Sequence, residues 1–173
     1  MAVDPSAPPL PGAVLFACNF NRVRSPMAEA LMKRALGDRV YVDSCGLKRD
    51  AAEGVDPFVE AVMAELSVDL ADHRPKTFDD LEDASFDLVV SLTPESQHRA
   101  VEMTRGRAAE IEYWPTFDPT LVDGSREARL AAYREVLALL KAAIDAGDVA
   151  HLLEGEPVEA VFRKVTNAAP VKK

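Results

Sequence analysis

Short apolar runs alternate along the chain with segments in which apolar residues recur every three or four positions. Ala13–Ala17 (AVLFA) is apolar throughout and too short for a helix, which predicts a buried strand. Ser25-Pro26 predicts a helix start, because serine is a preferred cap and proline suits the first helical position. Met27, Leu31 and Ala35 then line one face, and Gly37 is the expected stop. Val40–Val42 predicts a second strand, and Asp56-Pro57 caps a second helix with Phe58, Ala61, Val62 and Leu66 on its stripe. Thr77–Ala84 reads as a short acidic helix, Phe86–Leu92 as a third strand, Pro94–Thr104 as a helix and Ala109–Trp114 as a fourth strand. Ser125 opens the longest helix, whose apolar face carries Leu130, Tyr133, Leu137, Leu140 and Ile144.

Strands that alternate with helices predict βαβ units, hence an α/β fold with a parallel sheet, right-handed crossovers and ligands at the carboxyl ends of the strands. The break at residues 18–24 lies at that end of the first strand. Residues 1–12 hold four prolines and no periodicity, and read as a disordered or extended arm. Beyond residue 146 the pattern fails again, with Gly147, Gly155 and Pro157 interrupting it. Residues 147–173 therefore read as a C-terminal extension, disordered or partly helical over Val158–Val165. Residues 13–146 are left as one domain.

The chain has 173 residues, 48% of them hydrophobic, which suffices for one well-buried core. No apolar run approaches the ~20 residues of a membrane span. The segment MAVDPSAPPLPG lacks the basic start and apolar stretch of a secretory signal. The net charge of −9 argues against nucleic acid or an anionic membrane as partner, so an anionic substrate has to be drawn in by a local site. Two cysteines fit a reducing, cytoplasmic setting in which a special cysteine is catalytic rather than structural.

The segment Cys18-Asn19-Phe20-Asn21-Arg22-Val23-Arg24-Ser25 sits between the first strand and a helix start. Such a loop aims several backbone N–H groups at one spot, and together with the helix dipole they form an anion cradle. The same field favours a thiolate at its centre. Arg24 can fork onto two oxygens of a tetrahedral oxyanion, and Ser25 can hydrogen-bond the thiolate. A thiol route through phosphorus also needs an acid for the leaving oxygen. Of three Asp-Pro pairs, Asp4-Pro5 lies in the arm and Asp56-Pro57 reads as a cap. Asp118-Pro119 follows the fourth strand at the same sheet end as Cys18, and makes Asp118 the candidate acid and later base. There is no HExxH, Cys/His cluster, GxxxxGK[ST] or GxSxG, so no metal, cofactor, nucleotide hydrolysis or serine-hydrolase chemistry is expected.

The order VLFACNFNRVRSPMAEA, VDSCG, DHRPKTF, FDLVVSL, FDP and a last long helix resembles the low-molecular-weight protein tyrosine phosphatases over residues 13–146. That resemblance implies a single three-layer domain with a four-stranded parallel sheet flanked by helices. It also implies metal-free hydrolysis through a cysteinyl-phosphate. By it, Cys18 is the nucleophile, Arg24 the phosphate clamp and Asp118 the general acid. Asn19, Phe20, Asn21, Arg22, Val23 and Ser25 complete the phosphate loop, with Asn21 holding its strained shape and Ser44 and His73 as supporting polar partners. Where the family has tyrosines after its Asp-Pro, this chain has Thr120 and Leu121, and Phe20 or Trp114 is the candidate replacement for the aromatic wall.

Three residues have two readings each. Arg22 is a solvated loop charge or a cation that repels phosphoarginine and attracts acidic flanks of a substrate. Cys45 is a small residue packed under the loop or a resolving thiol for oxidised Cys18. His73 is filler or a loop support. The expected partner is a phosphorylated protein or a small phosphomonoester, and the expected activity is hydrolysis of phosphotyrosine or aryl phosphates. The alternatives are arsenate reduction with external thiols, since no cysteine follows Cys45, or a catalytically weak phospho-binding module.

Overall fold

The computed structural model describes residues 12–82 and 85–146. The predicted arm except Gly12, the C-terminal extension with its short helix, and Asp83-Ala84 lie outside the described residues. Strand β1 (Ala13–Cys18) leads to helix α1 (Arg24–Leu36), β2 (Tyr41–Gly46), α2 (Pro57–Ala64), β3 (Leu88–Ser91), α3 (Pro94–Thr104), β4 (Glu110–Tyr113) and α4 (Arg126–Ala146). The four strands form one sheet in the order β2-β1-β3-β4, and every pairing is parallel.

The two-residue alternation of β1 splits the core into two layers. Val14, Phe16 and Cys18 face the layer built with α1, α2 and α4. Leu15 and Ala17 face the layer closed by Ala100 of α3, with Phe78, Phe86 and Val89. Both faces of β1 are covered, by the layer of α1, α2 and α4 on one side and that of α3 on the other, and this explains its uninterrupted apolar run. After β2 the chain crosses to β3 on the far side of β1, so strand order reverses there and the carboxyl end of β1 opens at the switch point where such sheets bind ligands.

Most predicted boundaries lie within two residues of the observed ones. Gly37 closes α1 with φ 58°, a backbone shape that glycine adopts without strain. Asp56 caps α2 by accepting from the Phe58 N–H, and Ser125 accepts from Ala128 N–H at the start of α4. Five expectations need correction. Strand β2 runs on to Gly46, well past the predicted end at Val42, because it stays paired with β1 as far as Cys18. Helix α1 begins at Arg24 behind Val23, and Ser25 lies inside the helix, its hydroxyl engaged with Cys18 and Asn21 rather than capping. Ala35 is exposed, and the last turn of α1 buries the larger Leu36 instead. Leu66 lies beyond the end of α2, and Val59 and Met63 carry its buried face with Val62. The acidic segment after Thr77 makes a 3-10 turn over Phe78–Asp80, opened by a capping box in which the Asp80 carboxylate accepts from the backbone and hydroxyl of Thr77, and the backbone is already extended at Leu81.

Trp114 is a core residue. It is 2% exposed, and its ring meets Phe16 edge-on at 5.8 Å. It therefore cannot wall a surface pocket. Trp114→Ala should lower unfolding free energy by about 3–5 kcal/mol, the usual cost of deleting a large buried aromatic, as read by urea denaturation.

Candidate active site

The loop from Cys18 to Ser25 is held by contacts from four other segments. Asn21 takes φ 59°, the left-handed region in which asparagine is among the tolerated residues. Its side-chain amide donates to Ser25 Oγ at 2.8 Å and to Ser44 Oγ at 2.9 Å. Its Oδ1 accepts from the backbone N–H of Lys76 at 3.1 Å. His73 Nε2 lies 3.1 Å from the Asn21 carbonyl and 3.2 Å from Oδ1. Both are acceptors, so this nitrogen carries the proton and donates. Burial holds the His73 imidazole below its ordinary range, in keeping with a neutral donor. Ser44 in turn donates to Glu29, which also accepts from Lys33.

The backbone is pinned as well. Asn19 C=O accepts from Leu47 N–H at 2.8 Å and Lys48 N–H at 3.1 Å, and Asn19 Oδ1 accepts from Thr93 Oγ1 at 2.8 Å. Gly46 lies directly beneath. A Cβ there would meet the Phe20 carbonyl carbon at 2.7 Å and Asn19 O and Asn21 N at 2.8 Å, so only glycine lets β2 approach the loop. Sequence reasoning did not single out Gly46 or Glu29 as supports. A glycine ending a strand beside the loop was the available signal for the first, and none existed for the second.

A cavity of about 250 Å³ opens over the loop. Cys18, Phe20, Arg22, Val23 and Arg24 line it from the loop, Asp118 and Thr120 from the segment after β4, and Asp50 and Asp56 from the segment after β2. Cys18 Sγ is 2.9 Å from Ser25 Oγ. That oxygen accepts from Asn21, and its single proton faces two acceptors, the sulfur at 2.9 Å and the Cys45 carbonyl at 3.3 Å. Arg24 is 8% exposed and donates through Nη1 to the carbonyl of Thr116 at 2.9 Å. Its Nη2 lies 3.9 Å from Asp118 Oδ2. The structure thus brings Cys18, Arg24 and Asp118 to one cavity from positions up to 100 residues apart.

Arg22 is not a free loop charge. Its Nε donates to Gly54 C=O and its Nη1 to Asp50, each at 2.9 Å, which ties the phosphate loop to the segment after β2. Asp56, read only as a cap, is also a cavity wall, and its second oxygen accepts from Tyr133 Oη at 3.1 Å. Burial, then the Asp56 charge, pushes the Tyr133 phenol up. Phe20 lines the cavity at 38% exposure, so of the two aromatic candidates it alone is at the mouth.

Cys45 pairs in register with Ala17 and faces the α3 layer, whereas Cys18 faces the opposite layer. The two side chains leave adjacent strands on opposite faces of the sheet, which speaks against Cys45 as a resolving cysteine. Among the described residues no cluster of His, Cys, Asp or Glu could hold a metal ion, and no helix is long and apolar enough to cross a membrane.

Residues 13–146 match the family model of the low molecular weight phosphotyrosine protein phosphatases. The chain belongs to this family. Its relatives carry two activities in their names. A low molecular weight protein-tyrosine-phosphatase of Streptomyces coelicolor is 35% identical over 121 residues, 64% of this chain and 72% of that protein. An arsenate reductase of Halalkalibacterium halodurans is 31% identical over 123 residues, 71% of this chain and 85% of that protein. The crystal structure of an arsenate reductase from Archaeoglobus fulgidus superposes with a TM-score of 0.56 at 28% identity, covering 82% of this chain and 98% of that one. Family membership therefore supports a cysteine-dependent phosphatase or an arsenate reductase.

Burial pushes the Cys45 thiol far up, so it stays protonated and inert at neutral pH. Iodoacetamide at pH 8 should leave Cys45 unmodified in the folded protein and alkylate it once urea unfolds the chain, as read by peptide mass mapping.

Proposed function

We propose that the protein is a phosphomonoesterase that hydrolyses phosphotyrosine in proteins or small aryl phosphates through a cysteinyl-phosphate. The observation that carries this reading is the convergence of Cys18, Arg24 and Asp118 on one cavity, above a loop that sets the Ser25 hydroxyl 2.9 Å from the sulfur. In the first step Cys18 Sγ attacks phosphorus. The S–P bond forms, the bond to the leaving oxygen breaks, and Asp118 gives that oxygen its proton. Arg24 and the loop N–H groups neutralise the charge on the three equatorial oxygens. In the second step Asp118 takes a proton from water, the water oxygen bonds phosphorus, and Cys18 leaves as a thiolate stabilised by Ser25.

Asn21, Ser44 and His73 act on this chemistry by holding the loop rather than by touching substrate. Asn19 and Val23 complete its walls and its tether. Phe20 supplies an apolar face for an aryl leaving group. Arg22 keeps a cation on the cavity wall, where it disfavours a guanidinium-bearing phosphoarginine.

Arsenate reduction is the second reading, favoured by the arsenate reductases among the relatives. Arsenate has the same tetrahedral oxyanion shape. The chain holds only two cysteines, and Cys45 is sealed on the other face of the sheet, so the electrons would have to come from an external thiol.

Steady-state assays separate the readings. Wild type should hydrolyse p-nitrophenyl phosphate, Cys18→Ser should abolish turnover, and Phe20→Ala should lower the preference for aryl over alkyl phosphates. Glutathione-dependent arsenite release without phosphatase turnover would overturn the phosphatase reading. Tight phosphate binding with neither activity would point to a phospho-binding module.

A further inference from the structure

The chain departs from the family resemblance just after Asp118-Pro119, where Thr120 and Leu121 replace the expected tyrosines. Thr120 has a definite contact. Its backbone N–H and its hydroxyl both donate to Asp118 Oδ1, at 2.9 and 2.7 Å. The other carboxylate oxygen, Oδ2, is the one that faces Arg24 at 3.9 Å. Asp118 and Thr120 line the same cavity as Cys18, and the intervening Pro119 is buried with its ring fixing the backbone between them.

The two oxygens of Asp118 are therefore unequal. Oδ1 receives two donors, and an oxygen that already accepts two hydrogen bonds is the worse place for a proton. The geometry points to Thr120 as a positioning residue for proton transfer: its hydroxyl locks Oδ1, so that Asp118 carries and delivers its proton from Oδ2, the oxygen on the Arg24 side of the cavity. This inference rests on the reading of Asp118 as the general acid. In the first step the Oδ2 proton passes to the leaving oxygen as the P–O electron pair departs with it. The hydroxyl of Thr120 then stabilises the carboxylate that remains. In the second step Oδ2 takes the proton of the attacking water, and the cycle closes without net change at Asp118.

A misdirected acid matters most where the leaving group is poor. The test compares kcat/KM on phenyl phosphate, whose phenolate leaves badly, with that on p-nitrophenyl phosphate, whose nitrophenolate leaves without help. Loss of a hydrogen bond that aims a charged group should cost about tenfold on phenyl phosphate in Thr120→Val, and less than about twofold on p-nitrophenyl phosphate. Thr120→Ser, which keeps the hydroxyl, should behave as wild type. Thr120→Ala serves as a second hydroxyl-free variant. Thr120 is exposed, so none of the three should alter the melting temperature appreciably. In an Asp118→Asn background Thr120→Val should have no further effect.

An equal loss on both substrates, or a serine variant as impaired as valine, would overturn the positioning role. If Asp118→Asn depresses phenyl phosphate hydrolysis while Thr120→Val does not, the inference fails and the acid assignment stands. If Asp118→Asn leaves both substrates unchanged, the acid assignment fails and takes the inference with it.

Discussion

Everything at the cavity depends on one side chain held in an uncommon backbone shape. Asn21 sits in the left-handed region, and all the hydrogen-bonding capacity of its amide is committed: two N–H groups to Ser25 and Ser44, and one oxygen shared by Lys76 N–H and His73. An alanine there would keep the backbone strain, about 1–2 kcal/mol, and lose the bonds that offset it. The loop can curl around an anion because Asn21 anchors its centre, while Asn19 is tied to the segment after β2 and Gly46 leaves space beneath. Without that curl, Cys18 and Arg24 would be a strand end and a helix start with no reason to share a cavity.

The sheet explains the rest of the placement. Strand order reverses at β1, so its carboxyl end faces a gap that the segments after β2 and β4 fill from either side. One contributes Asp50 and Asp56, the other Asp118 and Thr120. In a chain of net charge −9 the cavity still places two guanidinium groups next to the thiol. Arg22 is held by the Gly54 carbonyl and the Asp50 carboxylate, and Arg24 by the Thr116 carbonyl with Asp118 3.9 Å away, so that neither side chain has to be ordered when an anion enters. Preorganised charge of this kind is the usual source of oxyanion stabilisation.

Much of this was legible in the sequence, for local reasons. The strand-helix alternation and the caps at Asp56 and Ser125 depend on neighbours in the chain, and the pattern of apolar residues reported them. The Cys18–Ser25 segment was legible because its residue types and its place before a helix coincide. What escaped depended on contacts between distant segments. Ser25 was legible as a partner of Cys18, but Ser44, 23 residues from Asn21, was not legible as the second acceptor of the Asn21 amide. Asp56 looks like a cap and is also a cavity wall. Lys76 contributes a backbone N–H and Thr116 a backbone carbonyl, neither of which any residue type announces. Trp114 and Phe20 were equal candidates for the pocket wall until packing sent one into the core and left the other at the mouth.

Asn21 organises the oxyanion site, and calorimetric titration with inorganic phosphate tests this without assuming any reaction. Wild type should bind phosphate, and Asn21→Ala, still folded, should bind it at least about tenfold more weakly, since several hydrogen bonds of about 1 kcal/mol each are lost from the loop. Equal affinity in the two proteins, or no binding by wild type, would contradict the account.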